Sequence, residues 1–429
     1  MKLTKWLNIF KLSLISLLIL GGAQFTLAQQ LTLQDCYLQA EELSPLKSKE
    51  LYFEAIRELR SLERDQTNYP FLNISGTASY QSDVFSLPFD VPGTNVPVLP
   101  KDQYKLSLNL TQKIYDGGLT KSARLVDDAE SNLQQIELEV SLYQIKAVIN
   151  ELYFGILQLQ ENALILGTLN NEYINQLKRA ESGVKNGVTL QSTVRRIQKE
   201  QIKTDQQLRI LEVRRIALLH ILADWVEQDL SDRTELVLPN FEINTTSNNR
   251  PELGLFNQQM ALLDVKEQTL LAGTRPQVFG FATGGWGSPN PVNFFEPTWQ
   301  PFYIVGAKLE WDLKLWGTTN RQKELLKRNG QIVLSERENF DKNINRQVIQ
   351  LRAQQQELEL TIDTDNRLLA LQKEITQEAK QQNTLGTLSA TDYLTELNSK
   401  TQLEMQLVLH TIEQQKLKIE LLTLTGNMP

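Results

Sequence analysis

Two kinds of hydrophobic spacing run along this chain, and they follow each other in the same order twice. Leu72, Ile74, Gly76, Ala78 and Tyr80 alternate with Asn73, Ser75, Thr77 and Ser79. Leu106, Leu108 and Leu110 alternate with Lys105, Ser107, Asn109 and Thr111. Further on, Ala307, Leu309, Trp311 and Leu313 alternate with Lys308, Glu310 and Asp312. A fourth segment, Gln277 to Trp286, is Gly-rich and less regular. A period of two predicts strands with one apolar and one polar face. Membrane-barrel strands have this pattern over about ten residues, and half-buried soluble strands share it.

The second spacing is helical. Leu138, Leu142, Ile145, Ile149, Leu152, Ile156, Leu159, Ala163 and Leu166 step by four and three, a heptad seam of coiled-coil type. Ile344, Val348, Leu351, Leu358, Ile362 and Leu369 form a second seam, interrupted by Gln355 and Asp365. The remaining positions are rich in Gln, Asn, Glu and Lys, which predicts helices packed side by side in a thin layer with their other faces wet. A helix from Leu119 to Ser182 would be on the order of 100 Å long, a length suited to spanning a periplasm.

Proline placement supports both readings. Five prolines fall between Pro70 and Pro100, five more between Pro276 and Pro301, and none between Pro100 and Pro239 or from Phe302 through Met428. Proline breaks helices, so the empty stretches permit very long ones. Glycine turns close the second strand of each pair, at Tyr115-Asp116-Gly117-Gly118 and Leu315-Trp316-Gly317. Gly187 and Gly386 then interrupt the helical stretches, 70 residues after Gly117 and 69 after Gly317. This ordered repetition predicts a tandem duplication, residues 29–248 and 249–429, each half a helix, two strands and a long helical hairpin.

Four strands cannot close a barrel, which needs at least about eight. In lipid, an open edge would leave backbone groups unpaired, at several kcal/mol each. The chain is therefore expected to share its barrel with copies of itself. Trp286, Trp299, Trp311 and Trp316 lie in the second strand region, where interfacial aromatic girdles form.

The N-terminus bears on compartment. Lys2, Lys5 and Lys11 precede an apolar run from Leu12 to Leu20 and a Thr26-Leu27-Ala28 site, which reads as a signal peptide over residues 1–28. Loss of its three lysines takes the formal charge from −7 to −10. An acidic mature chain argues against nucleic acid as a partner. Cys36, the only cysteine, excludes an intrachain disulfide and is expected to be an ordinary buried thiol. With two histidines, His220 and His410, and no nucleotide loop or nucleophile elbow, the sequence offers no catalytic, cofactor-binding or metal site, and an enzyme is not expected. A soluble periplasmic coiled-coil adaptor or scaffold is the alternative at this point.

The segment Thr384-Leu385-Gly386-Thr387-Leu388-Ser389-Ala390-Thr391-Asp392-Tyr393-Leu394 resembles the helix-hairpin tip of the TolC-type outer-membrane efflux family. Gly183-Val184-Lys185-Asn186-Gly187-Val188-Thr189 is similar to that family's first-repeat tip. Leu31-Thr32-Leu33-Gln34-Asp35, with Ala40 and Ser44-Pro45, and the closing Leu422-Thr423-Leu424-Thr425-Gly426-Asn427 are similar to its termini. The resemblance covers essentially the whole mature chain. It implies an α+β membrane protein: a homotrimer whose shared β-barrel, four strands per chain, continues into a periplasmic α-helical barrel. It further implies an exit duct in outer-membrane lipid that serves an inner-membrane pump and its periplasmic adaptor, in efflux or type I secretion. Gly187, Val188, Gly386, Leu388 and Asp392 become the tip and gate candidates, with Asp392 as an acidic ring. Where some members carry a tip arginine and a first-tip aspartate, this chain has Leu388 and Ser192-Thr193, so an ion-pair lock of that kind is not expected.

Overall fold

The computed structural model describes residues 30–85, 98–230, 232, 234–241, 247–293, 296–313 and 317–428. The signal peptide at 1–28 and Trp316 lie outside them. The elements follow the predicted order twice. In the first half, β1 (Gln30–Leu31), α1 (Leu33–Glu42) and α2 (Lys49–Gln66) lead to strands β2 (Phe71–Tyr80) and β3 (Asp102–Tyr115). Helices α3 (Leu119–Lys185) and α4 (Gln191–Val226) and a short β4 (Glu235–Leu236) come next. The second half runs α5 (Pro251–Ala272), β5 (Gln277–Ser288), β6 (Gln300–Glu310), α6 (Thr318–Leu385) and α7 (Ala390–Thr425).

The chain divides into two compact units that each draw on both halves. One contains Pro45–Ser141 and Arg250–Asn343; the other contains the chain up to Ser44, Leu142–Asn249 and Ile344 onward. The first holds an antiparallel sheet of order β2-β3-β5-β6. Hairpins join β2 to β3 and β5 to β6, and the long-range pairing of β3 with β5 unites the two repeats in one sheet. β2 and β6 are its open edges. The Gly-rich segment is a full strand paired on both sides: Ile114 of β3 lies 3.4 Å from where a Cβ on Gly280 would stand, and the segment in turn covers a glycine of β6. Phe281 lies opposite Gly306, and its ring covers the space a Cβ there would occupy. Strand β6, however, stops at Glu310, so Trp311 and Leu313 do not continue the alternation as expected. Pairing ends at Gln277↔Glu310. Beyond it the Trp311 indole N–H donates to the Thr274 carbonyl at 3.0 Å, holding the ring beside the turn that precedes β5.

In the second unit the first seam buries Leu142, Ile145, Ile149, Ile156 and Leu166. The thin-layer expectation fails locally: Tyr153, Phe154 and Leu157 are buried as well. The cause is an extra layer that the strand and helix periods did not reveal. β1 pairs in parallel with β4, and the fully buried Tyr153 hydroxyl bonds to backbone at Leu31 (2.9 Å) and Val237 (2.7 Å). Helix α1 adds Leu33, Cys36 and Tyr37 to this core. It is started by Thr32, whose side chain accepts from the Asp35 N–H at 3.2 Å while the Asp35 carboxylate accepts from the Thr32 N–H at 3.3 Å. Burial pushes the Cys36 thiol up to about 12, assisted by the charge of Asp35. In the second seam, the intruding Asp365 is buried and lies 2.5 Å from His410 Nδ1 on α7. A carboxylate at a seam position needs such a partner.

Candidate functional site

Two regions carry the functional reading, one in each unit. The first consists of the turns that join α3 to α4 and α6 to α7. Gly187 and Gly386 are both left-handed, at φ 75° and 78°, with open space where a Cβ would stand. The two turns close the same way. The Gly187 N–H donates to Val184 O at 3.1 Å and the Val188 N–H to Gly183 O at 2.9 Å. The Gly386 N–H donates to Asn383 O at 3.2 Å and the Thr387 N–H to Gln382 O at 3.0 Å. This paired pattern satisfies the last carbonyls of a helix and requires a residue with positive φ. The glycines are therefore fixed by backbone geometry rather than by crowding.

The two turns start their outgoing helices differently. Ser389 caps α7, accepting from the Asp392 N–H at 3.2 Å while its hydroxyl donates to Asp392 Oδ2 at 2.7 Å. At the corresponding position of the first hairpin, Leu190 makes no side-chain cap. Asp392 thus has a local role in starting its helix. Val188 is exposed, as are Leu190 and Leu385. Leu388 is half-buried and packs on the tip core that includes Ala180, Val194, Ile197, Ala379 and Tyr393. The apolar side chains open to solvent at the two turns are therefore Val188, Leu190 and Leu385.

Above the turns, α3, α6 and α7 are bridged by polar side chains at the edge of that core. Tyr393 donates to Glu172 at 3.0 Å, Gln176 donates to the same oxygen at 3.1 Å, and Lys380 lies 3.9 Å away. Burial alone would raise the Glu172 carboxyl. The hydrogen bonds from Gln176 and Tyr393 and the charges of Lys380 and Arg179 outweigh burial and hold it below its ordinary value. Gln372 likewise donates to Glu396 at 2.8 Å. Sequence reading missed this network, because Glu172 and Gln176 sit in a stretch whose polar residues all read as solvated.

The second region is the sheet. Antiparallel register puts directly paired residues on one face. One face carries Leu72, Ile74 and Tyr80 from β2, Leu106, Leu108 and Leu110 from β3, Ala282 and Trp286 from β5, and Tyr303, Val305 and Leu309 from β6. Apart from Asp102, Gln112 and Ser288 toward its ends it is apolar, and it is largely exposed. The other face carries Asn73, Ser75, Ser107, Asn109 and Thr283. They bond to one another across three strands: Ser75 to Ser107 at 2.9 Å, Asn109 to Ser75 at 3.0 Å and Thr283 to Asn109 at 3.0 Å. Trp286, Trp299 and Trp311 are all exposed at the ends of this sheet, and Trp299 stacks on Tyr104 with 6.1 Å between ring centroids. No helix among the described residues is long and apolar enough to cross a membrane.

No family model and no curated protein matches the sequence. Solved structures do match the fold. The outer membrane protein VceC of Vibrio cholerae superposes with a TM-score of 0.65 at 15% identity, over 92% of this chain and 96% of that one. The Campylobacter jejuni CmeC outer membrane channel gives 0.63 at 14% identity, over 92% and 85%. The open state of the Neisseria gonorrhoeae MtrE outer membrane channel gives 0.64 at 14% identity, over 92% and 88%. The chain has the fold of these outer membrane channels.

Proposed function

We propose that this protein is the outer-membrane exit duct of a tripartite efflux or type I secretion system, assembled as a homotrimer. The observation that carries the reading is the four-stranded sheet, with one face predominantly apolar, the other polar over most of β2 and β3, and both edges open. Water on one side and hydrocarbon on the other is the environment in which such a sheet is stable. β6 runs antiparallel to β2, so copies joined edge to edge continue the antiparallel order. Three copies give about twelve strands, an even number within the range of known barrels. Strands of 10, 14, 12 and 11 residues are long enough to cross hydrocarbon at a tilt. The fold likeness to outer membrane channels supports the same reading.

In this reading the apolar face meets outer-membrane lipid, with Trp286, Trp299, Trp311 and Trp316 at the interfaces. The hairpin tips at Gly187 and Gly386 form the periplasmic end, meeting a periplasmic adaptor and an inner-membrane pump through Val188 and the apolar residues around Leu388. Threefold symmetry would gather Asp392 into an acidic ring that shapes the constriction. We take residues 1–28 as the signal peptide and 29–248 and 249–429 as the duplicated halves. The duct wall holds and passes cargo without catalysing a reaction. The adaptor or scaffold alternative finds no support among the related folds, and it leaves the apolar face of the sheet uncovered.

The test is fractionation followed by crosslinking in detergent. A three-chain species extracted with the outer membrane is expected. Recovery as a soluble monomer after osmotic shock would end the reading.

A further inference from the structure

The polar face of the sheet is not uniform. The middle of its first-repeat half is mostly hydroxyl and amide, with Asn73, Ser75, Thr77, Ser79, Ser107 and Asn109, while Phe71, Lys105 and Lys113 lie on the same face. Its second-repeat half carries Phe279, Phe281, Phe302 and Ile304. Phe281 covers Gly306, and Phe302 lies beneath the Lys105 ammonium, 5.4 Å from the ring centroid. Those two rings have partners within the chain. Phe279 is different: the register sets it directly between Lys113 on β3 and Lys308 on β6. Directly opposed side chains on one face are neighbours, with Cβ atoms about 5 Å apart. Lys308 is ion-paired with Glu310. Lys113 makes no ion pair among the described residues, although Asp116 lies close enough to feel its charge.

We propose that Phe279, with Lys113 and Lys308 on either side, forms a cargo-contact site for amphipathic aromatic anions on the duct wall. The inference deepens the exit-duct reading and rests on it, since the polar face must line the lumen. A half-buried ring with a lysine opposite it on each neighbouring strand, one of them ion-paired to Glu310, suits a ligand that offers an aromatic face and a carboxylate or sulfonate on the same molecule. Three copies would present three such sites around the pore. The hydroxyl-rich first-repeat strands between them would offer only weak, interchangeable contacts, so cargo binds in passing without being trapped.

The test uses the mature protein in planar bilayers, with block read relative to each variant's own unblocked current. The probe is 1-naphthalenesulfonate, compared with methanesulfonate (charge without ring) and 1-naphthylmethylammonium (ring with opposite charge). Naphthalenesulfonate is expected to block at the lowest concentration; a ring contact of ordinary strength corresponds to about a two- to tenfold difference. Phe279→Ser and Lys113→Gln should each abolish that preference. If Phe279→Ser fails to assemble, Phe279→Leu, which keeps bulk and removes the ring, is read in its place. Equal block by naphthalenesulfonate and methanesulfonate would overturn the site. So would loss of preference in Lys113→Gln but not in either Phe279 variant, which would reduce the effect to charge alone. The absence of any channel in the unmodified protein would instead sink the duct reading itself.

Discussion

Placing one charge on each face of the sheet at the same depth tests the membrane reading directly. Val305 is the central residue of β6, on the apolar face opposite Ala282, and 73% exposed. Asn73 is on the polar face, in the row Asn73–Asn109–Thr283–Ile304, one residue from Val305 in depth. It is exposed, so an arginine there displaces only water. If the apolar face meets hydrocarbon, Val305→Arg costs about 2–4 kcal/mol per chain near the midplane. That is about a 30- to 1,000-fold loss in the folded-to-unfolded ratio. Asn73→Arg should stay within about 0.5 kcal/mol, as exposed substitutions do. Trp311→Arg should fall between them, because Trp311 lies beyond the strand end and an arginine there can reach the interface. The assay is refolding into phosphatidylcholine vesicles, with a urea titration of the heat-modifiable folded form. Equal losses for Val305→Arg and Asn73→Arg, or a larger loss for Asn73→Arg, would refute the assignment of faces.

Three further outcomes are expected. Gly386→Ala should cost about 1–2 kcal/mol through positive φ alone, since nothing crowds the added Cβ. Hydrogen exchange at Thr387 should accelerate about 5- to 30-fold, with Gly386→Asn closer to the unmodified protein and trimer yield unchanged. Ser389→Ala should loosen the start of α7 by about 1 kcal/mol and leave cation preference intact. Asp392→Ala should also shift conductance or cation preference in single-channel recording, and if neither moves, Asp392 is a cap and not a gate. Glu172 has a depressed folded-state pKa, so its stabilisation is present above the ordinary glutamate value of about 4.3 and lost as pH falls through the folded value. Tyr393→Phe should therefore lower the melting temperature at pH 7 while the two proteins converge near pH 3, and an undiminished gap in acid would dismiss the Tyr393–Glu172 bond as the cause.

The sequence by itself determined the elements. Period-two alternation, heptad steps and the proline gaps are local rules, and they located the β2, β3 and β6 strands, both long helices and both tip glycines. They also decided that four strands could not close alone, because that comes from counting. Local rules could not reveal pairing across distance. β5 looked irregular until its pairing with β3 and β6 showed what the glycines face, as with Ile114 of β3 beside Gly280 and Phe281 of β5 over Gly306 of β6. The end of β6 was overrun because Trp311 fits the alternation, and only the Thr274 carbonyl shows why it leaves the sheet. The tip was legible in its glycines and illegible in its chemistry. Whether Leu388 or Leu385 meets solvent depends on which one the tip core claims. Glu172, Tyr393, Asp365 and His410 read as unrelated polar positions until helices far apart in the chain were packed together. Burial then made each polar group need a partner. Spacing fixes which face a residue occupies; only packing decides what that face touches.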